Sequence, residues 1–115
     1  MYEQQPVQFL APFLAMIGMT AIKNVQPLSP EAVFDLLKVE FSDYINNALG
    51  SNLSVEFAHV ADIVNISFPE VIEGTVFSLI ISDDEIEISK NETEGDYNTD
   101  LLEQHLNEFL VIKAG

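Results

Sequence analysis

The order of apolar and polar positions changes several times along the chain. Residues 7–23 are apolar nearly all round and rich in Ala, Leu, Met and Phe, which favour helix. This predicts a first helix over 7–23 that kinks or begins near Pro12, where a backbone donor is lost and the ring crowds the preceding turn. After the connector Gln26-Pro27-Leu28, Ser29-Pro30-Glu31 combines a cap, a proline at the first helical position and an acid in the first turn. Val33, Leu36, Leu37, Phe41, Tyr44, Ile45, Ala48 and Leu49 then recur at helical spacing, with Asp35, Lys38, Ser42, Asp43, Asn46 and Asn47 opposite. A second, amphipathic helix over 30–49 is predicted, stopped by Gly50.

The period then falls to two. Leu53, Val55 and Phe57 alternate with Ser54 and Glu56, and Val64, Ile66 and Phe68 alternate with Asn65 and Ser67. Residues 75–82 make a more continuous apolar strand, and Ile86 and Ile88 alternate with Glu85, Glu87 and Ser89. Asp83-Asp84 reads as a tight turn and Glu73-Gly74 as a weaker one, giving four antiparallel strands in meander order. Residues 90–98 are polar and read as a loop. Asp100 with Glu103 resembles a capping box, and Leu102, His105, Leu106, Phe109 and Leu110 mark one face of a closing helix over 100–112. The expected fold is α+β and two-layered: two N-terminal helices, a four-stranded antiparallel meander and a C-terminal helix. With no repeats and no long linker, residues 1–115 read as one domain.

Charge changes this picture most. There are 19 Asp and Glu against four Lys and no Arg, a formal net charge of −15. Residues 1–69 hold seven acids and two Lys, whereas residues 70–115 hold twelve acids and two Lys. A chain so charged has no basic patch for nucleic acid or an anionic membrane, and it attracts basic partners. The apolar run from Val7 to Ile22 spans 16 residues, short of the roughly 20 that cross a bilayer, and no Lys or Arg precedes it as in a signal peptide. A cytoplasmic protein is expected, in the host cytoplasm if the source is viral. The three Asn-X-Ser/Thr matches, at Asn52, Asn65 and Asn91, then read as chance.

Candidate chemistry is sparse. Without Cys there are no disulfides, thiolate metal sites or thiol nucleophiles. His105 sits on the apolar face of the last helix and reads as a boundary residue. His59 has Asp62 three residues on, a spacing that can orient a general base, yet no nucleophile motif completes it. Asp83, Asp84, Glu85 and Glu87 contain enough oxygen for a hard cation but read better as a solvated turn, and Gly95 fits no EF-hand, since Lys90 and Leu101 would take its end positions. Glycine-rich phosphate loops are missing. No enzyme, metal or cofactor is therefore expected.

Binding is the reading left, and acidity is the feature it must explain. The expected function is an inhibitor or decoy that presents carboxylates where phosphates lie on the nucleic-acid-binding surface of a basic protein partner. Small phage-encoded anti-restriction, anti-CRISPR and repair-inhibitor proteins offer an analogy of size and charge. The expected contact residues are Asp83, Asp84, Glu85, Glu87, Glu92, Glu94, Asp96, Asp100, Glu103 and Glu108. Phe9, Leu10, Phe13, Leu14 and Ile17 form an apolar anchor or an oligomer surface, which allows a homodimer. The alternatives are a small acidic chaperone or assembly factor of the secretion-chaperone kind, and an immunity protein that neutralises a nuclease toxin.

Overall fold

The computed structural model describes residues 19–93 and 97–115. Five strands, β1 (Met19–Lys23), β2 (Glu56–Val60), β3 (Ile63–Ser67), β4 (Thr75–Ile81) and β5 (Glu85–Lys90), form one sheet. Its spatial order is β1-β5-β4-β3-β2, antiparallel throughout. The helical elements are α1 (Pro30–Leu36), a π turn (Leu37–Phe41), α2 (Ser42–Leu49) and α3 (Thr99–Ala114). The class is α+β, with helices and sheet sharing one core.

Two expectations are corrected. The helix over 7–23 does not extend through residues 19–23, which are strand β1; residues 7–18 lie outside the described residues. The sheet thus has five strands, not four. Apolar composition could not separate the two forms, but pairing can: Ile22 meets Ile86 and Lys23 meets Glu85 across the β1–β5 ladder. Ile22 is buried while Ala21 and Lys23 are exposed, the alternation of a half-buried strand. The capping box at Asp100 and Glu103 is also not formed. Helix α3 is capped by Asn98, whose side chain accepts from the Leu101 N–H at 3.1 Å, while Asp100 and Glu103 turn to Lys90.

The predicted helix over 30–49 is present with its Ser29 cap, and Gly50 ends it at φ 64. Its π turn has a cause in the sequence. Val33, Leu37, Phe41 and Ile45 are spaced four apart, so in a regular α-helix each would drift about 40° from the last. The wider turn at Leu37–Phe41 absorbs that drift, and all four side chains end 0–1% exposed.

Alternation orients the sheet. Val64, Ile66, Phe77, Leu79, Ile81, Ile86 and Ile88 are buried on the side that meets the helices. Phe41 is central to that layer, edge-on to Phe57 and Phe109 with ring centroids 6.4 and 5.3 Å away. Tyr44 of α2 leans on Phe109 of α3 at 5.4 Å. Helix α1 packs over β2 and β3, and α3 packs over β1 and against α2. No helix among the described residues is long and apolar enough to cross a membrane.

Candidate interaction surface

Asn24 is the only buried polar residue described, and it fixes the end of the sheet where acids gather. Its amide donates to the Leu28 and Ser82 carbonyls at 2.8 and 2.9 Å, and its carbonyl accepts from the Leu28 N–H at 2.9 Å. Its own N–H donates to the Asp84 carbonyl at 2.9 Å. These bonds tie the connector before α1 to the β4–β5 hairpin. The hairpin closes through Ser82 N–H to Glu85 O at 2.9 Å, with Asp83-Asp84 as its two-residue loop. The β2–β3 hairpin reaches the same end, because Ile81 N–H donates to Asp62 O at 2.9 Å. Asp62, Asp83, Asp84 and Glu85 therefore crowd one end of the sheet, beside the connector Pro27–Pro30, with which Asp62 and Asp83 line a pocket of about 340 Å³.

The other expected contact residues lie elsewhere. Glu87 is on the sheet face turned from the helices, in a cross-strand row running Val60, Ile63, Ile80, Glu87, Ala21. Glu92 and Asp100 follow at the far end of β5, about 17 Å away by strand rise. Glu103 is half-buried and takes a 3.5 Å hydrogen bond from Thr20. Glu108 lies in the helix layer opposite Tyr44. Glu94 and Asp96 lie outside the described residues, as do Phe9, Leu10, Phe13, Leu14 and Ile17. The described acids are thus spread over both ends of the sheet and both layers.

Three of the four lysines make side-chain contacts within the fold. Lys90 joins β5 to the start of α3 through Asp100 and, at 3.6 Å, Glu103. The hydrogen bond to Asp100 is the main reason that its ammonium pKa is raised. Lys113, near the end of α3, bonds Glu40 of the π turn at 2.6 Å and lies over the Phe109 ring. Lys38 sits 4.6 Å above the Phe34 ring, and Lys23 is directly across from Glu85. Lys90 and Lys113 thus hold elements together, and most of the described acids have no counter-charge among the described residues.

The histidines occupy structural positions. His59 bonds the Ala61 carbonyl at 2.9 Å and stacks on Phe34 at 5.3 Å; the His59–Asp62 pair is not formed. His105 is the boundary residue expected, 3.1 Å from Glu108. Hydrogen bonds from His105 and then Gln104 hold the Glu108 carboxyl below its ordinary value. Burial, and next the charge of Glu108, pushes the Tyr44 phenol up. Among the described residues no three His, Asp or Glu converge to hold a metal ion.

A second concavity lies between the π turn and the end of α3. It measures about 380 Å³, with Val39, Tyr44, Phe109 and Ile112 as its apolar lining and Glu40, Asp43 and Lys113 around them. Val39 and Ile112 are 74% and 65% exposed there. Sequence reasoning assigned neither residue to a site; the signal was an apolar residue on each polar helix face. No family model, curated protein or solved structure matches the chain.

Proposed function

We propose that the protein is a non-enzymatic acidic binding protein that occupies a basic, nucleic-acid-binding surface of a partner protein as an inhibitor or decoy. One observation carries this reading. Lys90 and Lys113 are held by carboxylates within the fold and Lys38 lies over the Phe34 ring, so most of the net charge of −15 is presented outward with little local neutralisation. Such a field accelerates encounter with a basic surface and disfavours acidic ones. The hairpin end gathers Asp62, Asp83, Asp84 and Glu85 and is held in place by Asn24.

The test is competition. The tagged chain is used to capture a partner from its native host, and the purified complex is challenged with duplex DNA and with salt. Displacement by both is expected. A complex that withstands about 1 M salt, where the screening length is about 3 Å, and ignores DNA would overturn the reading. A second reading, a chaperone or assembly factor, is favoured by the exposed apolar row of Val60, Ile63 and Ile80 at 66%, 39% and 40%. A complex insensitive to salt but released by mild detergent would support it.

A further inference from the structure

Strand β2 is the edge of the sheet opposite β1, and among the described residues nothing pairs with its outer side. The phase of its hydrogen bonds follows from the ladder. Ile81 N–H bonds Asp62 O, so even-numbered residues of β3 turn to β4 and odd-numbered ones to β2. Their partners Glu56, Ala58 and Val60 therefore bond inward, and the main-chain N–H and C=O of Phe57 and His59 point out of the sheet. Exposed edges are ordinarily blunted by Lys, Pro, a bulge or inward charge. Residues 56–60 contain no Lys and no Pro, their register with β3 is unbroken, and the irregularity at Ile66/Ser67 lies in the β3–β4 pairing. Ala58, His59 and Val60 are exposed.

Alternation on β2 defines what would fit. On the face away from the helices, Val60 begins the apolar row with Ile63 and Ile80, so an added strand extends that row with apolar side chains. On the helix side, α1 packs over β2 through Phe34 and His59 and exposes Glu31 and Asp35. Glu56 begins the strand on the face of the apolar row and Asp62 follows its end, while Lys38 is the lysine on the helix side, held over Phe34. Charge complementarity thus selects a strand with basic side chains at alternate positions. It disfavours a second copy of this chain, which would bring another Glu31 and Asp35 to the same edge.

We infer that β2 receives an extended segment of the partner, alternating basic and apolar residues, by strand addition. This rests on the basic-partner reading above and names its mode of contact. The probe is a blocked heptapeptide alternating Lys and Val, compared with the same peptide methylated on alternate backbone nitrogens. Binding is measured by calorimetry, with amide shifts of the full chain followed by NMR. The plain peptide is expected to shift the Phe57 and His59 amides and to bind about tenfold tighter than the methylated one, on the order of one or two main-chain hydrogen bonds. His59→Pro, which removes an outward N–H without touching the β3 ladder, should reproduce that loss, while His59→Ala should not. Equal, salt-sensitive binding of both peptides would overturn the edge proposal and leave the acidic reading standing. Failure of both to bind at low salt would overturn the acidic reading as well. A dimer of the free protein abolished by His59→Pro would overturn the proposal by making a second copy the occupant. Overhauser contacts from the Phe57 and His59 amides to residues before Met19 would overturn it by making the chain's own segment the occupant.

Discussion

Replacing Asn24 by Ala removes one side chain and three hydrogen bonds, those to Leu28 O, Ser82 O and Leu28 N–H at 2.8–2.9 Å. A hydrogen bond in a protein contributes about 1 kcal/mol net, and a buried group left unpaired costs roughly 1–3 kcal/mol. Asn24 is 4% exposed, so water does not readily replace all three partners, and the loss should be about 3 kcal/mol. Asn46 provides a comparison. It makes a similar clamp on the residues after α2, donating to Leu53 O at 2.9 Å and accepting from Leu53 N–H at 2.7 Å and Ser51 Oγ at 2.9 Å. It is only half-buried, so Asn46→Ala should cost about half as much. Urea denaturation of both variants measures the two differences, and for a chain of this size Asn24→Ala should lower Tm by roughly 10 °C. A loss below about 1 kcal/mol for Asn24→Ala, or a larger loss for Asn46→Ala, would refute the argument from burial. The variant also bears on function, because the Asp83-Asp84 hairpin loses the Asn24 side-chain bond to Ser82 O while the main-chain bond from Asn24 N–H to Asp84 O stays.

Three further outcomes follow from particular contacts. Ala61 sits at φ 53, where a Cβ is strained, and it is exposed, so Ala61→Gly should raise stability by about 0.5–1 kcal/mol in the same titration. Lys90→Met should lower stability by about 1 kcal/mol and speed amide exchange in the first turn of α3, since Glu103 is half-buried and Asp100 is exposed. The folded pKa of Glu108 is depressed, so its contribution is present above the unfolded value and is lost as pH falls through the folded one. Melts of Glu108→Gln and the parent should therefore differ at pH 7 and converge on acidification below the ordinary carboxylate range.

The elements legible in the sequence are those with a one-sided environment. Strands β3 and β5 alternate because one face meets the helices, β4 reads as a continuous apolar run, and Ser29-Pro30 announces its helix through local chemistry. Strand β1 was not legible, because the apolar run before it continues through Met19–Lys23 and only pairing with β5 tells strand from helix. The strand expected at Leu53 begins at Glu56 instead: Leu53 is held by the Asn46 side chain, and pairing with β3 starts at Glu56–Ser67. The π turn was implicit in the four-residue spacing from Val33 to Ile45. The acids were legible as a composition, but not as a surface. Strand β5 separates Asp84 from Glu92 by its whole length, and the one cation that binds both Asp100 and Glu103, Lys90, comes from a neighbouring element.

The central claim is that uncompensated carboxylates attract a basic partner, and its most direct measurement is affinity against ionic strength. The partner recovered from the host is titrated into the full chain from about 50 mM to about 500 mM salt, a range over which the screening length falls from about 14 to about 4 Å. The Kd should rise steeply, by roughly tenfold or more, with a smaller salt dependence after Asp83→Asn and Asp84→Asn together. A Kd that stays constant across that range, or that is indifferent to removal of those two charges, would contradict it.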